Sequence, residues 1–215
     1  MQGANRSKMG GLHALARRAR RGYAPQAMSV EEQSRDPGGF SEDVRFNATT
    51  ARVPERVRIG VCATGAIVLN GPHEFLVDFV QRIGPVQQLV SRVVVPPTLM
   101  PALIQALADN IGNYTARFGP PPALPTPPPG MQPPPVNEVY EQMKIADETL
   151  CGSYCNTMMV AHSPAEFCFD FITSSFPRPV VSARVIMAAA HAPKVLDSLK
   201  RSWEQFQRRM TPPQE

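Results

Sequence analysis

The sequence predicts an α+β protein built from two β-β-β-α repeats, each an antiparallel three-stranded meander covered by one packing helix. Three observations predict it: a gapless internal duplication, strand-like alternation followed by a helical apolar stripe in each copy, and a proline-rich segment between the copies. "NGPHEFLVDFV" (70–80) and "HSPAEFCFDFI" (162–172) pair Pro72 with Pro164, Glu74 with Glu166, Phe75 with Phe167, Asp78 with Asp170 and Phe79 with Phe171, always 92 residues apart. The same offset joins Gly60 to Gly152, Arg92 to Arg184, Pro101 to Pro193 and Leu107 to Leu199. A chance match does not hold register over about 60 residues.

In chain order, residues 1–55 are expected to be a disordered tail, basic at its start. Arg6, Lys8, Arg17, Arg18, Arg20 and Arg21 fall within its first 22 residues, and removing them from the net charge of +4 leaves −2. The rest is therefore close to neutral and its composition provides no basic groove for phosphate binding, so nucleic acid rests on a weak contribution from Arg17, Arg18, Arg20 and Arg21. The apolar part of "GGLHALARRARRGY" is too short for a secretory signal, and Met28 is an alternative start.

The first repeat is assigned to 56–119 and the second to 148–210, with a tail at 211–215. Residues 61–69 and 153–161 read as a first strand, joined by the turn chemistry of "NGPH" and "HSPA" to a second. There Phe75, Val77 and Phe79 share one face with Glu74, Leu76, Asp78 and Val80 opposite, as Phe167, Phe169 and Phe171 oppose Glu166, Cys168, Asp170 and Ile172. The phenylalanine faces are expected to be core. A third strand follows at 87–95 and 179–187, and short connections favour an antiparallel meander. The apolar spacing of 98–117 and 190–209 then predicts helices. Pro101 and Pro193 fit in a first turn, where the N–H groups lack intrahelical acceptors; Thr98 is a candidate N-cap and Gly119 a stop.

Between the repeats, 120–147 begins "PPPALPTPPPGMQPPP", a semi-rigid spacer by composition, or a P-x-x-P ligand for an aromatic groove. A unit of about 60 residues with one small sheet buries too little surface for comfortable stability alone. The two copies are therefore expected to pack as an intrachain pseudo-dimer, or to pair with copies on another chain.

Candidate chemistry is thin. Glu166 and Asp170 share a strand face about 13 Å apart, too wide for the usual glycosidase pair. Arg92 and Arg184 on the next strand predict cross-strand ion pairs with one acid of each copy. His162 and Ser163 are adjacent, where side chains usually point apart, so turn polars are the plainer reading than a catalytic pair. Cys151 and Cys155 in "CGSYC" would lie about 13 Å apart on a strand, too far for one metal or disulfide. No catalytic, cofactor or metal residue is assigned. The four cysteines do not make a disulfide framework, which favours a reducing cytoplasm, and no apolar run reaches the roughly 18–20 residues of a membrane span.

The motif H-S-P-x-E-F-x-F-D-F, with "ARVI" and "HAPKVLDSL" after it, resembles a small prokaryotic family catalogued as domain of unknown function 3467. The match runs through Asn156, Val160, Ser163, Pro164, Glu166, Phe167, Asp170, Phe171, Arg184, His191, Lys194 and Leu199 in the second copy. The first copy departs at Gly71 and has Leu99, Met100 and Ala102 in place of the H-A-K element. The resemblance implies a fold, carries no activity, and suggests that a tandem chain fuses what single-unit members achieve by dimerising.

The expected function is a non-enzymatic protein-interaction or assembly module, acting on a protein partner or by self-association. The alternatives are a holdase-like chaperone, by analogy with SecB-type folds, and an enzyme of unidentified class.

Overall fold

The computed structural model describes residues 47–126, 130, 134–175 and 177–210. The basic segment with Arg17, Arg18, Arg20 and Arg21, and the tail 211–215, lie outside the described residues. The first repeat supplies helix α1 (Glu55–Arg58), strands β1 (Val61–Ala63), β2 (Gly65–Asn70), β3 (Phe75–Ile83) and β4 (Val86–Val95), and helix α2 (Met100–Phe118). Helix α3 (Val136–Glu141) follows. The second repeat supplies α4 (Asp147–Leu150), β5 (Ser153–Tyr154), β6 (Thr157–His162), β7 (Glu166–Thr173), β8 (Val180–Ala188) and α5 (Ala192–Met210).

The α+β class and the two repeats stand, but the first strand of each repeat does not behave as expected. It breaks in two, and its leading part joins the other repeat: the sheets run β2-β3-β4-β5 and β1-β8-β7-β6. Val61 lies opposite Val185 in a parallel pairing, and Ser153 opposite Val93 in its counterpart. The break has a local cause. At Thr64 the backbone N–H donates to the Val80 carbonyl at 2.8 Å, and the hydroxyl accepts the Arg82 N–H at 2.9 Å. Asn156, 92 residues on, does the same work, exchanging amide bonds with Ser174 at 2.7 and 3.0 Å and donating its N–H to Ile172. Side-chain bonds of this kind compete with the ladder and end it. The residues just before are released to the neighbouring sheet, where β1 and β5 cover the edges of β8 and β4.

Inside each sheet the antiparallel pairing is as predicted, with β3 between β2 and β4 and β7 between β6 and β8. Both copies carry a register shift at the same place, between Phe79 and Val80 and between Phe171 and Ile172. The phenylalanine faces of the two sheets meet: Phe79 lies 6.1 Å from Phe169 and 5.5 Å from Phe171, centroid to centroid. The helices are exchanged as well. Helix α5 packs on β2, with Phe206 5.1 Å from Phe75, and α2 packs on β6, with Tyr114 5.3 Å from Phe167. One continuous core results, to which both repeats contribute.

The stretch expected to be only a spacer is partly folded onto the protein. Met143 is buried against Val80 and Leu89, with Val139, Tyr140 and Ile145 around them, while Lys144 exchanges backbone bonds with Gln87 and Leu89. Proline composition concealed this, because the prolines end at Pro135 and the apolar residues that pack begin only a helical turn later, at Val139. Among the described residues no helix is long and apolar enough to cross a membrane.

Because one core serves both repeats, Phe79→Ala and Phe171→Ala should each cost about 3–5 kcal/mol and leave a single unfolding transition by chemical denaturation. Residues 56–119 expressed alone should be unfolded or dimeric by circular dichroism and sedimentation; a folded monomer would contradict the shared core.

Candidate functional site

The repeated acid and arginine face each other across adjacent strands. Asp78 is in register with Arg92, and Asp170 with Arg184. Each pair is bidentate: Arg92 Nε and Nη2 donate to the two Asp78 oxygens at 2.8 and 2.7 Å, and Arg184 donates to Asp170 at 2.6 and 2.7 Å. The remaining nitrogen reaches into the other repeat. Arg92 Nη1 donates to the Leu150 carbonyl at 3.1 Å, and Arg184 Nη1 to the Arg58 carbonyl at 3.1 Å. These carbonyls end α4 and α1, the turns that lead into the exchanged strands. Gly152 and Gly60 follow them at φ 73° and 78°, and a Cβ on either would sit 2.9 Å from the aliphatic stem of the arginine. Glycine is required twice over, for the left-handed backbone and for the close approach.

The two junctions differ in depth. Asp78 is fully buried and also accepts a hydrogen bond from the Tyr140 hydroxyl, whereas the Asp170 side chain is 18% exposed with Cys168 beside it. The hydrogen-bonded carboxylate raises each arginine above its ordinary range, against the opposing effect of burial. Burial, helped by the Asp78 carboxylate, raises Tyr140 as well. Cys168 is likewise raised, mainly by burial and then by Asp170. A second thiol environment is more extreme: burial pushes Cys155 up to about 12.

The other residues singled out from the sequence serve the hairpin. The Ser163 hydroxyl accepts the N–H groups of Ala165 and Glu166 at 3.2 and 3.1 Å, closing the turn that contains Pro164. His162 turns away from it, toward α2: its Nδ1 lies 2.5 Å from Asn110 Oδ1, and its ring packs among Tyr114, Phe118 and Phe167. The imidazole and the hydroxyl thus have separate partners. Pro72 and Glu74 occupy the matching turn, where Gly71 N–H donates to the Glu74 carbonyl at 2.8 Å. Glu166 is exposed, and it is Asp170, not Glu166, that takes the arginine. Cys151 is exposed and Cys155 buried, and all four cysteines are unpaired thiols. Among the described residues no group of three or more His, Cys, Asp or Glu side chains could hold a metal ion.

Sequence reasoning missed Tyr140, which the spacer composition hid, and the contacts between helix and opposite hairpin. Asn110 donates to the Val160 carbonyl at 2.9 Å, and Asn70 to the Ser202 hydroxyl at 3.0 Å. The offset could have found the second set, since 92 residues separate both Asn70 from His162 and Asn110 from Ser202. Their residue types changed between copies while their contact survived.

A chain of two such units is what comparison with known families also finds. It matches the family described as "Protein of unknown function (DUF3467)" twice, over residues 27–120 and 127–212, and belongs to that family. No curated protein matches it.

Breaking the buried pair with Asp78→Ala should cost about 3–5 kcal/mol, and Asp170→Ala less, because water can reach Arg184. Urea denaturation gives both values. Cys155 adds a pH dependence. Its folded value lies above the ordinary thiol range, so the thiol stabilises the fold fully below about pH 9 and this contribution is lost as pH rises toward about 12. Cys155→Ala should flatten that alkaline decline in denaturation midpoints.

Proposed function

We propose that this chain is a non-enzymatic interaction or assembly module. The observation that carries the reading is the use made of the repeated polar motif. Asp78 and Asp170 accept from Arg92 and Arg184, whose remaining nitrogens donate to backbone carbonyls of the opposite repeat. Ser163 caps a turn, and His162 is held by Asn110 among aromatic rings. The paired acids and arginines join the two halves, and His162 is held against the helix of the other repeat. What remains for a partner is the surface that the join creates, including large apolar side chains on both sheets, Tyr154 on β5 at 49% exposure and Met159 on β6 at 38%.

Joined halves whose outer strands are each blocked at one carbonyl suit a rigid platform. The outer carbonyl of Val160 on β6 is occupied by Asn110, and that of Asn70 on β2 by Arg209 at 3.2 Å. Such edges resist the addition of a foreign strand, so a partner would use side-chain surface.

The test is capture of the tagged full-length chain from its own cells, followed by size exclusion and native mass measurement. A protein partner or further copies of the chain held at fixed stoichiometry, and lost on Tyr154→Lys or Met159→Lys with unfolding unchanged, is the expected result. A chain that elutes alone as a monomer would overturn the reading.

A further inference from the structure

We propose that the cleft between the two junctions binds a small zwitterion of the size and charge of a free α-amino acid, its carboxylate toward Arg56 and its ammonium toward Glu148. The cleft holds about 150 Å³ and is lined by equivalent residues of the two repeats, among them Arg92 with Arg184, Gly60 with Gly152, and Arg56 with Glu148. It therefore lies on the pseudo-twofold axis relating the repeats. Its volume is about five times a water molecule's ~30 Å³ share of the liquid and below the roughly 300 Å³ at which drug-sized pockets begin. A ligand of a few heavy atoms fits.

The charges select the class. Arg56 and Glu148 occupy equivalent places on α1 and α4, 92 residues apart, yet carry opposite signs. Neither has an ion pair within 4.0 Å among the described residues. Asp78 and Asp170 already neutralise Arg92 and Arg184, so Arg56 and Glu148 are left as a separated plus and minus on one neutral lining. An anion such as phosphate would gain Arg56 and be repelled by Glu148, and a simple ammonium would meet the reverse. A molecule bearing both charges uses both ends. Ser91 and Ser153 belong to the same lining.

Titrating the isotope-labelled full-length chain with L-alanine, with propionate (alanine without its ammonium) and with ethylammonium (alanine without its carboxylate) decides the matter by the amide resonances of Gly60 and Gly152. L-alanine should shift both saturably with a dissociation constant of about 1 mM, and each singly charged probe should bind about tenfold more weakly or worse. Arg56→Gln and Glu148→Gln should each weaken L-alanine by about tenfold while thermal unfolding stays unchanged. No saturable shift with L-alanine, equal binding of either singly charged probe, or unchanged affinity in both variants would overturn the proposal.

Discussion

Everything in this fold passes through two arginines, each of which ties three pieces of chain together. Arg92 fixes the register of β4 on β3 through Asp78 and holds the turn of the other repeat through Leu150; Arg184 does the same with Asp170 and Arg58. A bidentate guanidinium–carboxylate pair is directional, which a hydrophobic contact is not. Apolar burial alone would leave the phenylalanine faces free to slide. The pair removes that freedom, and the third bond then determines where the opposite chain must turn. Exchange of β1 and β5 follows, since a chain anchored at the Arg58 or Leu150 carbonyl emerges alongside the foreign strand. Lysine could not substitute, because a single ammonium offers no such fork.

The copies have kept this device and diverged around it. Tyr140 covers the Asp78 junction, while the residue 92 positions earlier is Ala48. Cys168 stands where the first copy has Leu76, and Asp170 retains some contact with water. Removing two charges from water is costly, and the cost is offset only when their remaining hydrogen-bonding capacity is met. The buried junction meets it with a tyrosine hydroxyl. Its partly exposed counterpart has solvent available for the same purpose, so a smaller neighbour is tolerated there. Depth and the extra partner vary together, as that physics requires.

Much of this was legible in the residues, for identifiable reasons. Phe75, Phe79, Phe167 and Phe171 could be assigned to the core because strand alternation is a local property, and the two long helices because their period is local too. The arginine pairs were legible because both partners repeat. The strand break at Thr64 and Asn156 was not, since polar residues at these points interrupt neither alternation nor apolar run. Nor does alternation name a sheet: it says which side of a strand is buried and nothing about which repeat it pairs with. Tyr140 and Met143 were obscured by adjacent prolines. In the cleft, Arg56 and Glu148 were passed over because a comparison of copies rewards identity, and these two matter through being equivalent yet opposite.

That opposition also bears on why a fused chain differs from two separate copies. In a symmetric dimer of one repeat, any residue near the axis appears twice with the same sign, so two arginines or two glutamates would face each other there. Like charges would then either repel or draw in a ligand of the opposite sign. Duplication within one chain lifts the constraint, because each half can mutate alone while the interlocked core keeps them together. A cleft with a positive and a negative end on one axis is open to a fused pair and closed to a homodimer. The arginine junctions, whose work is the same in both halves, had no reason to diverge, and their aspartate, arginine and glycine are identical in the two copies.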